Sequence, residues 1–244
     1  MAGQRPALAL TISLAAAVPA AACVSDAAFE VPGLRADTPL VLAAPDGRRF
    51  RLVALSGESV VAPEGPMRVV SLGVTDRHGR VPAQVFGPAG PIEVALLRDG
   101  RVRLTPTRLV PRDCWRLFER AETEAIRARR GLWAGEGAPI GAADADALAR
   151  AAGRFAIAEG RVRSARSQGR ITYINFGPPN SGALTVTISD RDMAAFRESG
   201  LEPAAIRGQM LRVRGIVTIR RGPFIAAAIP EAITIAEPPS GGAR

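Results

Sequence analysis

Short runs in which apolar and polar residues alternate dominate the chain, each bounded by Pro, Gly or Asp, and a period of two predicts strands. Five such runs, at residues 40–42, 49–55, 68–74, 81–86 and 92–97, fill its first part. One stretch breaks the pattern. From Asp113 to Arg130 the apolar residues Cys114, Leu117, Phe118, Ala121, Ala125 and Ala128 recur near a period of 3.6, which predicts a helix with one buried face. Arginines crowd its last turn, where they suit the helix dipole, and Gly131 follows as the expected residue just past the helix end. Leu132 and Trp133 then serve as an apolar plug. Beyond a Gly-rich stretch the strand pattern restarts at residues 155–166, 170–176, 183–189, 210–220 and 224–229, with a helix expected from Asp190 to Ser199.

Each half thus reads as five short strands with a helix. The expected fold is mainly β with one or two helices, arranged as two small five-stranded barrels of the OB type. The boundaries place one barrel at residues 29–134, a linker at 135–152, a second barrel at 153–236 and a disordered tail at 237–244. No strong sequence repeat joins the halves, so the expectation is similar architecture without duplication.

Residues 1–22 stand apart from this pattern. Arg5 precedes a mostly apolar run at 7–18, then Pro19 and the small residues Ala20, Ala21 and Ala22, which is the layout of an export signal peptide. The apolar run is too short to span a bilayer. Cys23 directly after three alanines resembles a bacterial lipoprotein box, with lipidation of Cys23, although Ala20 stands where leucine is commonest. Ordinary cleavage within residues 20–28 fits the same letters. The expected product is an exported protein, in the periplasm, as an outer-membrane lipoprotein, or secreted. It has no transmembrane helix in the mature chain and meets a membrane through a lipid anchor only. Cys23 and Cys114 are the only cysteines. With lipid on Cys23, Cys114 is left as a small apolar residue on the buried helix face.

Charge adds a partner class. The 32 basic residues are all arginine and outnumber 23 acids, for a net +9, which favours an anionic partner. Arginine without lysine reads first as a coding bias and second as an adaptation to phosphate, for which the guanidinium offers planar paired contacts. The excess is uneven: residues 139–244 carry 14 arginines against 9 acids, residues 23–138 carry 17 against 14. In the second unit Arg161, Arg163, Arg166 and Arg170 surround the first hairpin, and Tyr173 lies on its second strand. A basic groove with an aromatic side chain suits single-stranded nucleic acid or another polyanion. Tyr173 and Phe176 are an odd number of positions apart, so they face opposite ways and at least one belongs to the core.

Two further strings carry chemistry. In Asp76-Arg77-His78-Gly79-Arg80, Asp and Gly bracket a tight reversal in which Gly79 supplies a positive φ and launches Arg80 onto the next strand. His78 is the only histidine and has no cluster around it with which to bind metal. Upstream lie Arg35-Ala36-Asp37-Thr38, Phe50-Arg51-Leu52 and Ser56-Gly57-Glu58-Ser59; downstream lies Arg129-Arg130-Gly131-Leu132-Trp133. In order and spacing these strings resemble the staphylococcal-nuclease-like (thermonuclease) family over about residues 29–134. The resemblance implies an OB-type barrel that cleaves phosphodiesters of DNA or RNA with the help of calcium. Asp37 matches a calcium carboxylate, and Arg51 and Arg80 match two phosphate-clamping arginines. Ser56 falls where a second metal carboxylate belongs, and Ser59 where the glutamate that activates water belongs.

These two departures weaken the implied chemistry. Calcium and two arginines neutralise charge growing on phosphorus while a carboxylate orients the water, and serine offers no anion near neutral pH. Loss of a general base alone costs about 10²–10⁴ in rate. Glu58 is one residue away, but a one-residue slip reverses side-chain direction. The expected function is therefore a thermonuclease-like protein with an impaired site that binds nucleic acid or another polyanion in the cell envelope. A surviving calcium-dependent phosphodiesterase and an envelope interaction scaffold are the alternatives.

Overall fold

The computed structural model describes residues 23, 27–57, 65–135 and 137–236. The expected signal segment 1–22, the tail 237–244, and the pair Glu58 and Ser59 lie outside these residues. Strands predominate, as the alternating pattern demands. The first unit runs β1 (Phe29–Glu30), β2 (Arg35–Thr38), β3 (Val41–Ala43), β4 (Arg49–Leu52), β5 (Leu55–Gly57), β6 (Arg68–Ser71), β7 (Arg80–Gly87), β8 (Gly90–Pro91), α1 (Ile92–Arg98), β9 (Val102–Leu104) and α2 (Arg112–Arg127). Its main sheet has the order β1-β6-β7-β4-β3-β2, with β8 beside β7; β4 and β7 run parallel. The path is open, not a closed barrel, and its two ends are consecutive in sequence, separated only by residues 31–34.

One expected strand is a helix. Residues 92–97 form α1 because Glu93, Val94, Leu96 and Leu97 turn inward while Ala95 and Arg98 turn out, a spacing of three that a strand cannot satisfy. The apolar letters at 92, 94 and 96 fit either period; the inward Glu93 decides for the helix.

Helix α2 ends earlier than its periodicity suggested. Ala128 caps it and Arg129 already has a positive φ of 50°. The buried face is Cys114, Trp115, Phe118, Ala121, Glu122 and Ala125; Leu117 is half-buried and Ala128 exposed. Gly131 has its own reason. At φ 53° a β-carbon there would stand 2.4 Å from the Gly100 carbonyl oxygen, which accepts a hydrogen bond from the Leu132 N–H at 2.8 Å. This close backbone approach seats Trp133 as the expected plug, buried with Ala125 and Ile157.

The second unit comprises β10 (Ile140–Gly141), α3 (Ala145–Arg150), β11 (Phe155–Arg161), β12 (Ser164–Gln168), β13 (Ile171–Asn175), β14 (Thr185–Ser189), α4 (Asp190–Glu198), α5 (Pro203–Ile206), β15 (Met210–Ile216), β16 (Thr218–Ile219), β17 (Pro223–Ala226) and β18 (Ile233–Ala236). Two sheets form, β10-β11-β15-β18 and β12-β13-β14-β17-β16. Each expected run carries strand and the expected helix is α4, but the order is longer than expected: residues 155–166 divide into β11 and β12 and residues 210–220 into β15 and β16, each run serving both sheets, and α5 and β18 are additional. Neither sheet closes into a barrel. Most of the expected linker belongs to this unit: β10 pairs with β11, and Ala142, Leu148 and Ala151 are buried in its core.

The units meet along a polar seam that parity alone would have placed in solvent. On β15, Leu211 and Val213 face the second core, so Arg212 and Arg214 face away from it, and α2 covers them. Arg214 Nη2 donates to Glu122 Oε2 at 2.5 Å with both side chains fully buried, and its Nη1 donates to Thr234 Oγ1 at 2.7 Å. Thr234 in turn bonds Glu119. Arg212 bridges Glu159 and Thr123 at 2.5 and 2.8 Å.

Cys23 and Cys114 are joined in a disulfide inside the first core. A sulfur bonded this way carries no thioether, so the structure gives Cys23 a partner other than the expected lipid. The bond closes a separation of 91 residues and fastens the start of the described chain to α2.

Candidate functional site

Two arginines of the nuclease-like strings, Arg51 and Arg80, come together on the first sheet, both facing Asp76. Gly79, at φ 72°, closes the turn that begins β7, and Asp76 organises it by accepting the N–H groups of His78 and Arg80 at 2.9 and 3.0 Å. The same carboxylate takes Arg80 Nε at 3.0 Å and Nη2 at 2.9 Å, with Arg51 Nε at 4.0 Å. The Arg80 guanidinium first, then these N–H groups, hold the Asp76 carboxyl well below the usual carboxylate range. Arg51 and Arg80 thus face one carboxylate, that of Asp76. Asp37, at a register irregularity between Ala36 and Thr38, is bonded by Arg49 Nε at 2.7 Å and Nη2 at 2.6 Å.

Calcium takes about six to eight oxygen ligands. Among the described residues no three carboxylate, imidazole or thiol side chains come together, and Asp37 is engaged by Arg49. Ser56 lies on β5, opposite Arg103 of β9.

The second unit carries a different arrangement. On β13 and β14 the even-numbered residues Thr172, Ile174, Val186 and Ile188 are buried, so the odd-numbered residues make the outer face. In register across four strands this face sets Arg166 beside Tyr173, Tyr173 beside Thr187, Ser164 and Thr185 on either side of Asn175, and Phe224 beside Thr185. Asn175 Nδ2 donates to Ser164 Oγ at 3.1 Å and Thr185 Oγ1 donates to Asn175 Oδ1 at 3.1 Å. The face floors a groove of about 1250 Å³, also lined by the loop 177–182 and the turn between β16 and β17. Five arginines line it, Arg163, Arg166, Arg207, Arg220 and Arg221; among the described residues no acid does.

Of the side chains expected to meet a polyanion, Arg163, Arg166 and Tyr173 line this groove. Arg161 and Arg170 do not; Arg161 Nη1 instead donates to the Gly208 carbonyl at 2.7 Å. Phe176 is buried in the core, on the face opposite Tyr173. Arg207, Arg220, Arg221 and Phe224 were missed. The signal for the last three was present, since Arg220-Arg221-Gly222 is a basic turn between two strand-period runs.

The chain matches no known protein-family model and no curated protein. No described helix is long and apolar enough to cross a membrane.

Proposed function

We propose that the chain is an exported, thermonuclease-like protein that binds nucleic acid or another polyanion through the groove of its second unit. The observation that carries this reading is a groove lined by five arginines with no acid among its described residues. Guanidinium groups take phosphate in planar paired contacts, and uncompensated positive charge in a concave surface concentrates anions. By contrast, Arg80 and Arg49 of the first unit are each bonded to a carboxylate. Strand order supports two OB-type barrels: joining β1 to β2 through residues 31–34 would make the first sheet a ring, and β14 pairs in parallel with β17 just as β4 does with β7. The disulfide supports export, because such bonds persist in oxidising compartments.

The test uses the oxidised chain from Cys23 onward and a fluorescent single-stranded 12-mer. If each of the five arginines displaces one counterion, log affinity falls against log salt with a slope of about −3.5, so a fourfold rise in salt weakens binding about 100-fold. Charge reversal at Arg163 and Arg166 together should remove most of the binding at low salt. Binding untouched by that double change, or absent at 50 mM salt, would overturn the proposal.

Incubating the same oligonucleotide with calcium or EDTA reports on cleavage. The rate should lie at least about 10²-fold below that of an enzyme keeping the water-activating carboxylate. Rapid turnover abolished by EDTA and by Arg80→Ala would favour the phosphodiesterase reading.

A further inference from the structure

Tyr173 and Phe224 share the floor of the groove, and their spacing says more about the ligand than the arginines do. Tyr173 is paired with Thr187 on β14, while Phe224 on β17 is paired with Thr185, two residues along the same strand. Two strand spacings of about 4.8 Å and two residue rises of about 3.3 Å put their Cα atoms about 12 Å apart. The polar bridge of Ser164, Asn175 and Thr185 continues the cross-strand row of Phe224, one row along from Tyr173. Only 5% of the chain is aromatic and Tyr173 is its one tyrosine, yet both rings stand on the outer face of a sheet and not in the core beneath it.

Each ring has a cation at hand. Arg166 is the register neighbour of Tyr173 on β12, and the Arg220 guanidinium lies 5.3 Å from the Phe224 ring centroid. An aromatic ring and a guanidinium plane are both surfaces on which a nucleobase stacks, and the same arginines carry the charge that a phosphate backbone requires.

Resting on the polyanion reading, we infer that the groove selects single-stranded nucleic acid, stacking one base on Tyr173 and another on the Phe224–Arg220 pair while Arg163, Arg166 and Arg221 hold the backbone. Bases in a duplex follow one another at about 3.4 Å per strand and show their flat faces only at the ends. Two platforms about 12 Å apart therefore suit a strand whose bases are unstacked and splayed. A polyanion without bases would gain nothing from either ring.

The experiment measures competition against a labelled single-stranded 12-mer by unlabelled single strand, the matching duplex and inorganic polyphosphate of equal charge. Wild type, Tyr173→Ala, Tyr173→Phe and Phe224→Leu are compared after their folding is checked by circular dichroism. The single strand should compete at least about 10-fold better than either rival. Tyr173→Ala should weaken it by about 10-fold or more and leave polyphosphate unchanged, while Tyr173→Phe restores it. Equal competition by polyphosphate or duplex, or a Tyr173→Ala protein that binds single strand as wild type does, would overturn the inference with the polyanion reading intact. Absence of binding to all three would overturn that reading itself.

Discussion

Replacing Arg214 by Met should destabilise the protein by about 3–5 kcal/mol, the range found when one member of a buried ion pair is removed. Arg214 and Glu122 are both fully buried, 92 residues apart in sequence, and meet at 2.5 Å. Glu122 is also fixed from the other side, where its Oε1 accepts the Leu104 N–H at 2.7 Å. Without the guanidinium, Oε2 of that carboxylate stays in the seam with no cation to compensate it. The lost charge, not lost volume, sets the cost, since Met fills much of the same space. Adding Glu122→Gln keeps an acceptor for Leu104 and removes the stranded charge, so the double variant should recover a large part of the loss. Urea unfolding of the two singles and the double gives the coupling from a closed cycle. Single changes that cost under about 1 kcal/mol and simply add would show that the seam is not held by this pair.

This seam is also where reading the letters reached its limit. Alternation located most strands of the second unit and the helix after β14, because each has one face on a core and its apolar period is clean. The same alternation assigns Arg212 and Arg214 to solvent, since a period of two says only that they oppose Leu211 and Val213. That α2 lies over them is a tertiary fact, and the acids that receive them lie far upstream. At residues 92–97 the apolar positions fitted both periods, and the buried Glu93 could not be foreseen as inward. The nuclease-like strings single out Arg51 and Arg80, and both face Asp76, which the letters mark only as a turn residue. Half of the expected arginine cluster was legible for a related reason. A position within a hairpin can be read from its neighbours, whereas Arg207 reaches the groove from a segment that only the fold brings there.

The buried Glu93 gives the second large effect, a dependence of stability on pH. Its side chain is fully buried between β7 and α1, where Oε1 accepts the Val85 N–H at 3.2 Å and Oε2 has no hydrogen-bond partner. Burial pushes its carboxyl from 4.5 up to about 8. Because the folded value is the higher one, the folded chain keeps a proton that the unfolded chain has released between these two pH values. The contribution is therefore full below about pH 4.5 and is lost progressively as pH rises toward about 8. The loss is on the order of 1 kcal/mol per pH unit. Glu93→Gln preserves the acceptor for Val85 and cannot ionise, so it should match wild type near pH 5 and exceed it by about 3 kcal/mol near pH 8. Every other titrating group is common to both proteins and cancels in the difference. Urea midpoints measured at pH 5, 6.5 and 8 would show the two curves diverging; parallel curves would mean that Glu93 is not held protonated in the folded protein.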